Sequence, residues 1–396
     1  MTTQRRSSVL ALVAANALAS VACNSGKTAA VDAGNPVVDA GRSPCDSGNG
    51  SPVDAGGTIA DAGSPGPVVV TTLASGNFGP NGIATDGKEV FWAGNYASGS
   101  EGIWEVSVDG GAVTTVAAVA SSTQFAFSVA LDGTNVYWTS TDFSTPIPDG
   151  GAPSDILSTP RAGGSTTVLL SGQDMITGLA VDETSLYWGS QGSDGEAVMM
   201  RMPLAGGAPE TLATASTVSS VCNWGCIAVD STSVYWAPAG SIMRVPLSCG
   251  MPISLAPTGT VNALAVAATG VYWEQTNSPI DAGTCSVQSV PLGGGHVTTI
   301  ASYDTFPIQP IAVDATNVYW AYLDCNATCG SAPACTCADI VSAPLAGGPP
   351  STLVTGLAER PFALAVDATS VYWVGQDTSS SSCGQQCAVV KKLTPK

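Results

Sequence analysis

A twelve-residue phrase returns seven times along this chain of 396 residues. It reads GIATDGKEVFWA from Gly82, VALDGTNVYWTS from Val129, LAVDETSLYWGS from Leu179 and IAVDSTSVYWAP from Ile227. It returns as LAVAATGVYWEQ from Leu264, IAVDATNVYWAY from Ile311 and LAVDATSVYWVG from Leu364. The tryptophans (Trp92, Trp138, Trp188, Trp236, Trp273, Trp320 and Trp373) are separated by 46, 50, 48, 37, 47 and 53 residues. A period near 47 belongs with propellers rather than with helical solenoids of about 33 to 34.

Each unit divides into four short β-type runs, A to D. In the third unit these are Leu179 to Val181, Leu186 to Trp188, Val198 to Leu204 and Glu210 to Ala213. Gly-Gly turns, which suit the positive φ of tight hairpins, recur at Gly110, Gly163, Gly206, Gly294 and Gly347. Both faces of the phrase are apolar, as expected when each sheet is sandwiched between two neighbours. The chain stops after the seventh C run, Ala388 to Leu393, whereas an orphan D-like run, Val68 to Leu73, stands at the other end. Pairing the two, with Val70 alongside Val390, closes the ring and removes sheet edges. The fold expected is therefore all-β: a seven-bladed β-propeller of four-stranded antiparallel blades over residues 68–396, averaging 47 residues per blade.

The AVDxTxVYW phrase, followed by a C strand and a glycine turn, resembles the YWTD repeats of low-density-lipoprotein-receptor propellers and of bacterial relatives. Only Tyr137-Trp138-Thr139 keeps the Thr, Ser140 stands in place of the following Asp, and there are seven units rather than six. The resemblance implies a binding platform rather than a catalyst.

Residues 1–22 carry Arg5 and Arg6 followed by an apolar stretch, Val9 to Ala22, too short to span a membrane. This is the pattern of a secretory signal peptide. Ser20-Val21-Ala22-Cys23 resembles a bacterial lipoprotein processing box, which implies acylation at Cys23; the alternative is ordinary cleavage after Ala17-Leu18-Ala19. Residues 23–67 repeat Asp-Ala-Gly from Asp32, Asp39, Asp54 and Asp61 among Ser, Pro and Gly. Such composition cannot offset ordering entropy, so a disordered tether is expected. Ca²⁺ is the one ion these acids suggest, although single acids so far apart do not build its oxygen cage.

In a propeller the A–B and C–D turns share one face, and the B–C and D–A loops share the other. Here the second set is long and varied, and binding usually resides in such loops. Thirteen acids fall near it: Glu101, Asp142, Asp149, Asp155, Asp174, Asp194, Glu196, Asp281, Asp304, Asp324, Asp339, Glu359 and Asp377, with Arg360 the one basic residue. A negative field that draws cations or a basic partner is the expectation; a merely solvated surface is the alternative. Phe143, Trp224, Tyr303, Phe306, Tyr322, Arg360 and Phe362 are the candidate binding residues. The Asp of each phrase is expected to hold its A–B turn.

Cys-x3-Cys occurs at Cys222/Cys226, Cys325/Cys329 and Cys383/Cys387. In an exported chain these read as loop-stapling disulfides, with zinc as the competitor. Twelve basic against thirty acidic residues, a net charge of −18, exclude nucleic acid as a partner. The one histidine, His296, argues against His-based metal sites and catalytic triads. The functional expectation is a monomeric, lipid-anchored module of the bacterial envelope (outer-membrane or periplasmic), binding a protein, peptide or glycan without a cofactor. The alternative is an extracytoplasmic lyase or glycoside hydrolase using carboxylates at the channel mouth.

Overall fold

The computed structural model describes residues 68–77, 79–96, 100–119, 123–144, 152–191, 196–216, 226–238, 240–248, 250–276, 285–303, 307–324, 337–377 and 387–396. The expected signal segment, Cys23 and the tether lie outside them. The described residues form seven four-stranded sheets, each antiparallel in the order A-B-C-D. In blade 3 the strands are Ile176–Val181, Ser185–Gln191, Glu196–Pro203 and Glu210–Ser216. Each A strand touches the A strand of the next blade, and that of blade 7 (Glu359–Val366) meets that of blade 1 (Pro80–Thr85), so the ring closes.

The core is divided into seven, one cluster at each interface between blades. In a B strand the Tyr and Trp of the phrase are adjacent, so they point to opposite faces of the sheet. The Trp therefore reaches the preceding blade and the Tyr reaches the following one. Tyr137 packs with Trp188, Tyr187 with Trp236, Tyr235 with Trp273, and Tyr272 with Trp320. Tyr319 packs with Trp373 and Tyr372 with Trp92, while Phe91 takes the tyrosine's place against Trp138. Six of the seven tryptophans of the phrase are below 2 % exposed.

The D strand of blade 7 is supplied from the N-terminal side, Val69–Asn77, against the C strand Cys387–Thr394. It runs four residues beyond the expected end, and its register differs from the expected one. Val70 lies opposite Leu393, and Ala74 lies opposite Val390. A bulge between Thr72 and Ala74 shifts the register and accompanies the burial of Leu73 and Ala74 in the core between blades 7 and 1.

The aspartates of the phrase hold their turns, as expected. Asp230 shows the arrangement: Oδ1 accepts the N–H of Thr232 at 2.7 Å and of Ser233 at 2.9 Å, and Oδ2 accepts the Tyr235 hydroxyl at 2.9 Å. The same set recurs at Asp132, Asp182, Asp314 and Asp367. In blade 1, where Phe91 has no hydroxyl, Arg161 of blade 2 pairs with Asp86 instead. In blade 5, where Ala267 replaces the Asp, the Tyr272 hydroxyl turns to Thr269 Oγ1 at 2.8 Å. These clamps occupy the short-turn face, where His296 is exposed.

Candidate functional site: the long-loop face

The A strands run away from the long-loop face, so their first residues rim the central channel. In six of the seven blades this rim carries a register shift between strands A and B. The shift takes in Phe127 in blade 2, Asn262 in blade 5 and Phe362 in blade 7. Bulges at such rims re-aim side chains out of the regular pleat.

The candidate residues fall into three groups on different blades. Phe143, half-buried just past the B strand of blade 2 (Asn135–Asp142), meets Phe125 at 5.7 Å and Phe127 at 6.0 Å, both edge to face. This triad caps the blade, and Phe127 is 8 % exposed, so it packs as core rather than as an open rim. Tyr303, ending the D strand of blade 5, stacks on Tyr322 of blade 6 with centroids 4.2 Å apart. The Trp320 indole donates to the Tyr303 hydroxyl at 3.1 Å, and the Tyr322 hydroxyl donates to Asp339 at 3.0 Å. Burial raises the Tyr303 phenol; the hydrogen bond from Trp320 opposes this and the Asp339 charge adds to it. Arg360 and Phe362 meet in blade 7, the guanidinium 5.7 Å from the ring centroid. Trp224, Phe306, Cys222, Cys325, Cys329 and Cys383 lie outside the described residues, and Cys387 is described as a strand residue only.

Of the thirteen acids of the expected field, Asp149, Asp194, Asp281 and Asp304 lie outside the described residues, and three of the others are turned inward. Glu101, Asp339 and Glu359 are 6 %, 4 % and 2 % exposed, because each satisfies groups inside the fold. Glu359 accepts the Trp373 indole at 3.1 Å and the Lys391 ammonium at 2.8 Å. Asp339 also accepts the N–H of Gly356 at 2.9 Å, and Asp155 accepts that of Gly172 at 3.0 Å. Those two glycines sit at φ +67° and +64°, a conformation that suits glycine. Glu101 accepts the Ala126 N–H at 3.3 Å; burial pushes its carboxyl up to about 7, and that hydrogen bond opposes the rise. Asp142, Asp174 and Glu196 remain half-buried at the surface.

Glu274, which follows Trp273 in the fifth phrase, is not among the expected site residues. At that position the other units carry Ala93, Thr139, Gly189, Ala237, Ala321 and Val374. That odd acid among small residues was the available signal. Glu274 is 4 % exposed, Oε2 has no partner among the described residues, and burial pushes the carboxyl up to about 8 against the bond from Asn262. It faces blade 6 with Cys285, whose thiol burial pushes up to about 12, the Glu274 charge adding to this. Cys226 and Cys337 are buried, 7 % and 1 % exposed.

Blade 4 is the smallest, with an A strand of three residues, Ile227–Val229, and a B strand of four, Ser233–Trp236. A small cleft between it and blade 3 is lined by Gly178, Ser190, Met199, Cys226, Trp236 and Pro238. Among the described residues there is no group of three or more His, Cys, Asp or Glu placed to hold a metal ion.

No family model and no curated protein matches the chain. Among solved structures, a Niastella koreensis GH74 enzyme is similar at 13% identity and TM-score 0.54, over 79% of this chain and 54% of that one. A structure from work on two prolyl endopeptidases is similar at 12% identity and TM-score 0.48, over 81% of this chain and 48% of that one. A nidogen/laminin complex gives 18% identity and TM-score 0.44, over 57% of this chain and 80% of that one. The likeness to the GH74 enzyme concerns the fold alone. This chain spans about half the length of that enzyme and of the endopeptidase chain.

Proposed function

We propose that this chain is an exported binding or scaffolding module of the bacterial cell envelope, anchored by a lipid on Cys23, whose YWTD-like propeller engages a protein, peptide or glycan through its long-loop face. The observation that carries this reading is the asymmetry between the two faces. On one, five of the seven turns carry the same Asp–Tyr clamp, and a sixth keeps its Asp paired with Arg161. On the other, loops of different length and sequence leave a uniform scaffold. Cys226 and Cys337, buried where long loops rejoin the sheets, support the stapling of these loops by disulfides. Burial of Glu101, Asp339 and Glu359 in structural bonds favours binding over carboxylate catalysis.

A photo-crosslinking residue at Asp174 on the long-loop face is expected to capture a partner in envelope-bearing cells. The same residue at Met251, 83 % exposed on the short-turn face, is expected not to. Equal or reversed labelling overturns the reading. Mass spectrometry of the mature N-terminus tests the anchor, a diacylated Cys23 being expected. The enzyme reading retains one observation in its favour: two carboxyls, Glu101 and Glu274, pushed up to about 7 and about 8, the range of a general acid. Both are enclosed, so hydrolysis that survives Glu101→Gln and Glu274→Gln would remove that reading.

A further inference from the structure

Four arginines fall among the described residues, and three of them engage protein oxygens. Arg161 pairs with Asp86, and Arg201 pairs with Glu210 and donates to the Leu247 carbonyl at 2.8 Å. Arg244 donates to the Leu292 carbonyl at 2.9 Å. Arg360 is the exception. Among the described residues its guanidinium has no hydrogen bond or ion pair; its Nε is enclosed without a partner, as are those of Arg161 and Arg244, but unlike theirs its terminal nitrogens have none either. The neighbouring acid cannot serve it. Glu359 points to the opposite face of the sheet, toward blade 6, where Lys391 and Trp373 already hold it. Arg360 instead shares the face of its cross-strand partner Gln376, on the side where Tyr372 and Val374 pack against blade 1. It stands at the second residue of its A strand, on the channel rim, with the Phe362 ring fixing the cation at 5.7 Å. Burial disfavours its charge, and no carboxylate among the described residues offsets that.

Among the described residues this half-buried guanidinium has no anionic partner, in a chain of thirty acids and twelve bases. We propose that Arg360 captures one carboxylate of a peptide partner that is otherwise neutral or basic, its two terminal nitrogens forming the fork that grips both oxygens. Two features bear on the ligand. The planar fork matches a carboxylate or a phosphate in bidentate geometry, so the choice between them falls to the charge of the whole protein. The net charge of −18 repels polyanions such as acidic glycans or phosphorylated chains but attracts a peptide whose other side chains are basic. This rests on the reading of the long-loop face as a binding surface, and names the chemistry of what it binds.

The test follows the side-chain Nε–H resonance of Arg360 in ¹⁵N-arginine-labelled full-length protein. The titrant is an N-acetylated tetrapeptide with two lysines and a free C-terminal carboxylate. A saturable shift is expected, with binding about ten-fold weaker or more for the C-terminal amide of the same peptide and for Arg360→Gln, the worth of one charge-assisted contact. The comparison of acid with amide needs no variant, so it stands even if Arg360→Gln folds poorly. No saturable shift, or equal affinity for acid and amide, overturns the proposal. Tighter binding of galacturonate oligomers or inorganic phosphate overturns the peptide assignment. If the Asp174 crosslink captures a partner while the peptide leaves Arg360 unmoved, this site falls and the binding face stands. If the peptide binds Arg360 but crosslinking does not distinguish the faces, the reverse holds.

Discussion

At the scale of single residues, two kinds of carboxylate work in opposite directions. In the turn aspartates burial acts to raise the carboxyl, but the backbone N–H groups and the Tyr hydroxyl outweigh it, so Asp132, Asp182, Asp230 and Asp367 titrate below the usual range. A depressed folded value contributes stability that is present above the unfolded value, near 3.9, and is lost as pH falls through the folded one. Asp230→Asn keeps an acceptor for the turn but loses the charge and the clean acceptor for Tyr235. It is expected to lower urea-unfolding stability by about 1–2 kcal/mol at pH 7, and the deficit should shrink toward zero below about pH 4. The converse substitution, Ala267→Asp, builds the clamp that blade 5 lacks and is expected to add about 1 kcal/mol. Glu274 has the opposite sign. Its raised value means stability present below the unfolded value, near 4.3, and lost as pH climbs through about 8. Glu274→Gln is therefore expected to flatten the fall in urea midpoint between pH 5 and 8, where wild type loses up to about 1.4 kcal/mol per pH unit for this proton. The turn aspartates were legible in the sequence because their bonds are local, two, three and five residues ahead. Glu274 was not, because its surroundings come from three strands and the neighbouring blade.

At the scale of elements, strand identity was legible and close approach was not. The Gly-Gly pairs announced their turns, and Gly110 does sit at φ +84°, with open space within 4 Å of where a Cβ would stand. Gly102 gave no such signal, yet a Cβ there would fall on the Ala117 carbonyl of the paired D strand. The reason is a register shift at Ile103/Trp104 that brings the two backbones together. Gly102→Ala is thus expected to cost about 2–3 kcal/mol by overpacking, and Gly110→Ala about 1 kcal/mol through backbone strain alone. Thermal unfolding of the pair gives the order, and a reversal would show that the bulge relaxes. Interblade straps were equally hidden. Arg201, Arg244 and Lys392 each lie across the strand from the Tyr of the phrase and donate to the C–D turn of the following blade, at Leu247, Leu292 and Val108. In blades 2, 5 and 6 the equivalent residues are Ser158, Ser289 and Ser342. Repetition of the phrase carried no information about this variation, because a basic residue in a C strand has the same local pattern whether or not it reaches its neighbour.

At the scale of the whole molecule, seven separate cores make the ring only as strong as its closure. Count and period were enough to place the borrowed strand, since seven C runs without a seventh D left one partner for Val68 to Leu73. They did not give its register, because a run of Val and Thr pairs equally well when shifted, and the bulge that buries Leu73 leaves no mark in composition. Two rearrangements separate topology from chain order. In a circular permutant that joins Lys396 to Val68 through a short Gly turn and opens between blades 1 and 2, all four strands of blade 7 become continuous. The join is feasible because Val69 already lies opposite Thr394, where the other blades turn from C to D. Its urea-unfolding stability is expected within about 1 kcal/mol of wild type, the borrowed strand being held by the same ladder and core. Deleting residues 68–77 instead strips Leu73 and Ala74 from the core between blades 7 and 1 and leaves the C strand Cys387–Thr394 as a bare edge. Exposed edges recruit other chains, so light scattering is expected to show association of the deleted form beyond the wild-type mass. A synthetic peptide of residues 68–77 should reverse that association by refilling the edge, whereas the same peptide with Leu73→Asp should not, since the bulge residue must enter an apolar core. Rescue by both peptides would mean that hydrogen bonding along the ladder, rather than the packing of Leu73, is what closes the ring.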